Sequence, residues 1–190
     1  MQKERFDILE STCVPLPLEN VDTDQIIPAR FLSATSREGF GENLFRDWRY
    51  DNAGNKREGF VLNDAQYRGS VLVAGRNFGC GSSREHAAIC PMYLGVRLVM
   101  AKSFERIHSD NLINFGIIPL VFKKTEDYDR IKNGDSLVIR NLWTLIMEAE
   151  TIPVTIVGSE YALTLALSQR QRAMLLEGGL LNDTKKKFGA

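Results

Sequence analysis

The sequence contains few of the side chains that build metal centres and disulfide frameworks. Its two histidines, His86 and His108, are too few for a three-histidine site, and Cys13, Cys80 and Cys90 have no paired CxxC spacing. An odd number of cysteines without that spacing argues against a disulfide framework and against a self-contained zinc or iron–sulfur site. We therefore expect this chain to bind no metal of its own, so that any metal needed for catalysis is held by another molecule.

The sequence also lacks an excess of charge and a long apolar run. Lysine plus arginine and aspartate plus glutamate both number 24, so no overall field attracts nucleic acid or an anionic membrane. No window approaches the ~18 apolar residues of a membrane span. The first residues, Met-Gln-Lys-Glu-Arg, lack the apolar core of a signal peptide. These absences predict a cytoplasmic protein that binds neither nucleic acid nor membrane.

What remains is typical of one globular domain over residues 1–190, since 44% hydrophobic and 25% charged residues suffice for an ample core. Apolar runs at 71–74, 97–101 and 117–122 alternate with helical segments at 83–94 and 103–116, where Ser103 is the expected cap. This alternation predicts a parallel βαβαβ unit.

Antiparallel hairpins are expected after Gly134, because short apolar runs are separated there by turn signals. The predicted strands are 136–140, 143–148, 152–157 and 161–167, and Ser168 with Gln171 forms a capping box for a last helix. Pro15 and Pro17 restrict the N-terminal strand, 6–18, to a sheet edge or a bend. Thr125 is expected to cap a short helix. Residues 180–190 are expected to form a frayed tail.

The stretch from Asn77 to His86 carries the most chemical information, because it joins a predicted strand to a predicted helix. Gly79 and Gly81 flank Cys80 and permit a backbone path that most residues cannot follow. We expect Ser82, Ser83 and Arg84 in the first helical turn, where free N–H groups and the helix dipole favour bound negative charge. The carboxyl end of a parallel strand is also where open α/β sheets bind ligands.

Other interpretations of this stretch stay open on local chemistry alone. Ser82 with Glu85 also forms a capping box, so the serine could simply start the helix. Cys80 could be a nucleophile whose pKa a helix N-terminus lowers, or a small buried thiol in a tight turn. His86 is expected to be a packed or capping residue rather than a catalyst.

Two further segments carry polar or aromatic side chains outside the regular pattern. Asp22 and Asp24 would share one side of an extended segment, or would belong to an Asx-type turn leading into a short helix before Pro28. The glycine-rich segment 33–59 is predicted to be a long irregular loop. Its aromatic residues indicate that it packs on the body or against a partner.

The ten residues Asn77–His86 strongly resemble the signature of the aconitase superfamily's mobile C-terminal domain. Further segments resemble the family of bacterial 3-isopropylmalate dehydratase small subunits: Asn20–Pro28, Gly39-Phe40-Gly41, Asn43-Leu44-Phe45 and Asp47-Trp48-Arg49. The likeness extends along the chain through Gly178-Gly179-Leu180. The resemblance implies a swivelling β/β/α domain that closes as a lid over a larger subunit. It also implies that the larger subunit holds a [4Fe-4S] cluster on its own cysteines, the pair forming a heterodimer.

The resemblance also implies a reaction, the interconversion of 2-isopropylmalate and 3-isopropylmalate through isopropylmaleate in leucine biosynthesis. In the mechanism that the resemblance implies, the open iron of the cluster would be the Lewis acid for the departing hydroxyl. Ser82, as an alkoxide, would be the base, and the amides of the Gly81–Arg84 turn could stabilise its charge.

The same resemblance suggests roles for neighbouring side chains. Arg84, together with Ser83, is expected to bind a substrate carboxylate, and Asp24 to orient groups near the cluster. Arg37, in the loop 33–41 where the family reads the substrate's side group, is a candidate contact. It could equally be a solvated loop arginine.

Three alternative functions remain at this stage. The chain could belong to a related hydro-lyase acting on citramalate, homocitrate or dimethylmalate. It could instead be a stand-alone hydrolase that uses Cys80 or Ser82, or a non-catalytic binding module. If the resemblance holds, the isolated chain is expected to be inert.

Overall fold

Seven strands close into a barrel in the computed structural model, which describes residues 7–32, 39–63 and 69–189. Around the barrel their order is β1-β2-β3-β4-β7-β6-β5. The strands are β1 (Leu9–Pro15), β2 (Val71–Ala74), β3 (Leu98–Ala101), β4 (Ile118–Phe122), β5 (Ser136–Ile139), β6 (Thr151–Ile156) and β7 (Ser159–Thr164). The helices are α1 (Thr23–Ile26), α2 (Arg46–Arg49), α3 (His86–Leu94), α4 (Arg106–Asn114), α5 (Leu142–Glu148), α6 (Gln169–Leu176) and α7 (Leu180–Phe188).

The predicted βαβαβ unit is confirmed. Strands β2, β3 and β4 pair in parallel, and helices α3 and α4 form the two connections. All residues of β2 and β3 are buried, and alternate positions along each strand belong to two different hydrophobic clusters. Because side chains alternate across a strand, one cluster lies on each face of this part of the sheet.

The N-terminal strand does not lie at an edge, which was one of the two alternatives predicted from its prolines, an edge or a bend. Strand β1 pairs in parallel with β2 and antiparallel with β5, and these pairings close the barrel. Pro15 is tolerated because it is the last residue of β1, and the next amide, that of Leu16, donates to the carbonyl of Val73. A proline at the end of a strand removes little from the ladder of hydrogen bonds.

The antiparallel part contains three of the four predicted strands. Strands β5, β6 and β7 pair antiparallel, but 143–148 is wrong as a strand because helix α5 occupies 142–148. Leu142 and Ile146 are buried four residues apart, which is a helical spacing. Short apolar runs do not distinguish a strand from a buried helix by themselves.

Two predicted caps and the frayed tail are also wrong. The side chain of Glu105, not Ser103, caps α4 by accepting from the His108 amide at 3.1 Å. Thr125 is the first residue of a 3-10 helix whose N-cap, Lys124, makes no side-chain cap bond. The predicted capping box of Ser168 is present at the start of α6.

Residues 180–188 form helix α7 instead of a frayed tail. Asp183 is buried on this helix, and the Lys187 ammonium donates to its carboxylate at 2.7 Å. Leu180 packs against the main hydrophobic cluster. The ion pair lies within α7 and stabilises the helix itself, whereas the packing of Leu180 holds the helix on the body.

The described part of the long irregular segment, residues 39–59, packs on the body as expected. Leu44 and Phe45 are fully buried, and the amide of Phe45 donates to the carbonyl of Ile26 at 2.8 Å. Buried Arg49 lies within 3.4 Å of three backbone carbonyls of this segment, those of Gly41, Glu42 and Leu44, and so holds it in shape. Residues 33–38, with Arg37, lie outside the described residues.

Candidate active site

Loops that follow β1, β2 and β3 meet at one end of the barrel, because the carboxyl ends of parallel strands lie on the same side. The amide of Gly79 donates to the carbonyl of Val21 at 2.8 Å, and the amide of Thr23 donates to the carbonyl of Cys80 at 2.9 Å. The predicted site residues of 20–28 and 77–86 are thereby brought together from distant parts of the chain.

The backbone of the signature stretch follows the unusual path expected from its glycines. Asn77, Gly79 and Gly81 have φ values of 53°, 80° and 95°, a region that L side chains seldom adopt. A Cβ atom on Gly79 would lie 2.0 Å from Cγ of His108. Gly79 is therefore required both for its conformation and for the close approach of the His108 ring.

Helix α3 begins later than predicted, which changes the interpretation of Ser82. The helix starts at His86 with Glu85 as N-cap and has no side-chain cap bond, so the Ser82–Glu85 capping box is wrong. Ser82, Ser83 and Arg84 form a tight turn ahead of the helix, in which the Arg84 amide donates to the Ser82 carbonyl at 2.7 Å. The Ser82 hydroxyl therefore does not act as the N-cap of α3.

Ser82 is exposed at the mouth of this turn, with backbone donors beside it. Among the described residues, the amides of Gly81 and Ser83 donate no hydrogen bond, and both residues are exposed. Free N–H groups next to an exposed hydroxyl are suited to stabilise a developing negative charge. The predicted backbone donors therefore come from the turn itself and not from the first turn of α3.

Sequence reasoning missed Thr23, which contacts Ser82 directly. Its Oγ1 lies 3.1 Å from Oγ of Ser82 and donates to the Ser82 carbonyl at 3.2 Å. Thr23 is 1% exposed. The available signal was a hydroxyl side chain between the two aspartates of the segment Asn20–Pro28.

The two aspartates have different roles. Asp22 accepts from the Gln25 amide at 2.8 Å in a capping box that starts α1, so the helical alternative for this segment is confirmed. Asp24 instead accepts from Nη1 of Arg84 at 2.5 Å. This hydrogen bond from Arg84 is the largest of the effects that lower the pKa of the Asp24 carboxyl.

Arg84 is held rigidly while one edge of its guanidinium stays available. Nη1 donates to Asp24 and to the Ile27 carbonyl, the latter at 3.2 Å. The Arg84 side chain is 16% exposed, and within the described residues its Nε and Nη2 have no hydrogen-bond partner. That pair of nitrogens matches the two oxygens of a carboxylate.

The structure does not support Cys80 as an activated nucleophile. Burial, followed by the charge of Asp22, raises the pKa of its thiol, the opposite of the lowering expected from a helix N-terminus. Its Sγ donates to the carbonyl of Asn20 at 3.4 Å. Neither histidine is placed as its base, because the His86 ring packs 6.0 Å from Phe40 and the His108 ring is buried against Phe78.

The described residues do not supply a metal site. They contain no group of three or more histidine, cysteine, aspartate or glutamate side chains placed to hold an ion. Burial raises the pKa of the Cys13 and Cys90 thiols to about 12, which disfavours the thiolate form that binds metals. The same described residues include no helix that is both long enough and apolar enough to span a membrane.

Comparisons with known proteins agree with this arrangement. The model of the aconitase C-terminal domain family matches residues 3–125. The 3-isopropylmalate dehydratase small subunit of Cytophaga hutchinsonii is 41% identical over 92% of this chain and 86% of its own length. The equivalent subunit of Christiangramia forsetii is 58% identical, over 62% of this chain and 57% of that relative.

A solved structure extends the comparison to the fold. The crystal structure of 3-isopropylmalate dehydratase (leuD) from Methanocaldococcus jannaschii superposes with a TM-score of 0.70 and 34% identity. The superposition covers 95% of each chain. The chain therefore belongs to the aconitase C-terminal domain family, in its group of 3-isopropylmalate dehydratase small subunits.

Proposed function

We propose that this chain, as a small subunit of 3-isopropylmalate dehydratase, supplies the proton-accepting serine and the carboxylate-binding arginine of that enzyme. The enzyme is a hydro-lyase that interconverts 2- and 3-isopropylmalate in leucine biosynthesis. The observation that supports these roles is the shared turn at the barrel mouth. In that turn the exposed Ser82 stands between Gly81 and Ser83, whose amides have no hydrogen-bond partner among the described residues, and it precedes by two positions Arg84, which Asp24 holds in place.

Ser82 would take the proton from the substrate carbon next to a carboxylate. The electron pair of that C–H bond becomes the new C=C bond, and the hydroxyl on the neighbouring carbon leaves with its own bonding pair. Readdition of water in the opposite sense gives the isomer. A serine alkoxide needs strong stabilisation, which the amides of Gly81 and Ser83, unpartnered among the described residues, and the charge of Arg84 would supply.

Arg84 would bind a substrate carboxylate through Nε and Nη2. Because Nη1 is fixed by Asp24 and the Ile27 carbonyl, the guanidinium is pre-oriented and loses little freedom when the substrate binds. Asp24 thus acts through Arg84. Ser83, exposed in the same turn, and Arg37 complete the proposed set of substrate contacts.

The large subunit is the proposed partner in this reaction. As the family resemblance implies, the [4Fe-4S] cluster is assigned to that partner, where it would supply a Lewis acid for the departing hydroxyl. In this proposal the chain closes over the large subunit as a swivelling lid, and the enzyme is cytoplasmic.

The experiment is reconstitution of the pair under anaerobic conditions with wild-type chain or with Ser82→Ala. We expect Ser82→Ala to abolish turnover of 2-isopropylmalate while the two subunits still co-purify. Ser83→Ala is the matched control, because it removes the adjacent hydroxyl and is expected to raise KM more than it lowers kcat. Near wild-type turnover by Ser82→Ala would remove the serine from the mechanism.

Substrate choice is measured on the same reconstituted pair. Activity on 2-isopropylmalate well above that on citrate, citramalate, homocitrate and dimethylmalate is expected. A preference for one of the others would assign the chain to a related hydro-lyase. Ester or amide hydrolysis by the isolated chain would instead support a hydrolase. If substitutions of Ser82 and Arg84 left every measured activity unchanged, the chain would be a binding module.

A further inference from the structure

We infer that Thr23 is a positioning residue for Ser82, which it orients at rest and stabilises once the serine has lost its proton. This inference rests on the proposed role of Ser82 as base. The evidence is the pair of contacts from one buried hydroxyl to the carbonyl and to the side chain of the same serine.

Thr23 is held firmly by contacts that do not involve its hydroxyl. Its amide donates to the Cys80 carbonyl at 2.9 Å, and its carbonyl accepts from the Ile27 amide at 3.0 Å. The capping box of Asp22 fixes the start of the short helix that carries it. A hydroxyl on a fixed and buried backbone has a constant position, which is what orientation of a reacting group requires.

The hydrogen-bond inventory of the pair indicates two states. A threonine hydroxyl has one hydrogen to donate and can also accept. At rest that hydrogen is directed to the Ser82 carbonyl at 3.2 Å, and Oγ1 is free to accept from the Ser82 hydroxyl at 3.1 Å. This directs the serine hydrogen towards Thr23 and leaves a lone pair of Oγ facing the open side of the turn.

Loss of the serine proton to solvent, which forms the base before the substrate reacts, reverses the direction of the second bond. The alkoxide can no longer donate, and rotation about the Cβ–Oγ1 bond of Thr23 redirects its hydrogen to the alkoxide without movement of any heavy atom. The bond to the neutral carbonyl is exchanged for a charge-assisted one, which is roughly twice as strong. Thr23 therefore favours the charged form of Ser82 over the neutral form.

The test compares Thr23→Val with Thr23→Ser in the reconstituted enzyme. Valine keeps the branched shape and removes the hydroxyl, so we expect kcat to fall about 10- to 100-fold, somewhat less than loss of a main oxyanion donor, with KM within about twofold. As the pH is lowered, the activity of Thr23→Val should begin to fall about one pH unit above the point at which wild-type activity falls, because the alkoxide has lost a hydrogen-bond donor. Serine restores the hydroxyl and should recover most of kcat and the wild-type pH profile.

Ser103→Ala is the matched control for general loosening of the loops. Ser103 accepts from the Asn77 amide at 2.8 Å in the same group of loops, so its loss should leave the pH profile in place. Co-purification with the large subunit shows that each variant is folded, and Thr23→Ala is measured if the valine variant fails this test.

The possible outcomes distinguish this inference from the proposed function. Unchanged kcat and pH profile in Thr23→Val, beside inactive Ser82→Ala, would overturn the inference alone. A loss of activity that serine does not rescue, or that comes with no shift of the pH profile, would reduce Thr23 to a packing residue and also overturn it. Active Ser82→Ala would overturn both.

Discussion

His108 should make the stability of this chain depend on pH between 7 and 5. The residue is 2% exposed, and among the described residues neither ring nitrogen has a hydrogen-bond partner. Its ring lies 5.3 Å from that of Phe78, beneath the signature turn. Burial lowers the pKa of His108 from 6.5 to about 4, because a charged imidazole would lose its hydration there.

The direction of the effect follows from the two pKa values. The unfolded chain binds a proton near pH 6.5, whereas the folded chain resists protonation until about pH 4. The neutral ring therefore contributes its full stabilisation above pH 6.5, and the contribution is lost as the pH falls towards 4. The total loss is about 3 kcal/mol, of which about 2 kcal/mol is lost between pH 7 and pH 5.

Urea unfolding at pH 7 and pH 5 measures this directly. Other groups also titrate in this range, so the quantity compared is the change in the free energy of unfolding for wild type and for His108→Leu. Between pH 7 and pH 5, the free energy of unfolding of the variant should fall by about 2 kcal/mol less than that of wild type. His86→Gln is the control, since it removes the other imidazole and keeps His108. Equal losses in wild type and His108→Leu would refute the reasoning.

Three further predictions concern single contacts. Arg84→Lys keeps the charge but not the planar pair of donors, so KM for 2-isopropylmalate should rise about 10- to 100-fold in steady-state kinetics, and an unchanged KM would contradict the carboxylate assignment. Gly79→Ala places a methyl group 2.0 Å from His108 Cγ in a left-handed conformation, so urea unfolding should show a loss of more than about 2 kcal/mol; a loss near zero would show that the turn relaxes freely. Ser168→Ala removes the capping box of α6 and should cost about 1 kcal/mol in thermal or urea unfolding, with no effect on kcat.

The features predicted correctly are those that local chemistry determines. The parallel strands followed from buried apolar runs, and the path of the signature turn followed from Gly79 and Gly81, because glycine adopts positive φ values more readily than other residues. The capping box of Ser168 was also predicted correctly, because both partners lie within four residues.

Several of the features predicted wrongly depend on contacts between distant residues. Ser82 and Glu85 match the capping-box pattern, but Thr23 holds Ser82 in the turn and Asp24 holds Arg84 there, and α3 starts only at His86. Strand β1 resembled an edge strand, since its pairing with β5 cannot be read from local sequence. Thr23 itself was missed for the same reason, because its importance lies in a partner 59 positions away.

The closure of the barrel has a consequence for how the chain folds. Leu9 pairs with Ile139, so the first strand must wait until nearly three quarters of the polypeptide has been synthesised before it finds its antiparallel neighbour. Contacts of such long sequence separation slow folding, because a large loop must be ordered before they form. Until that moment β1 presents an unpaired edge that other nascent chains can join. Overproduction is therefore expected to favour aggregation, because many unfinished chains then expose this edge at the same time.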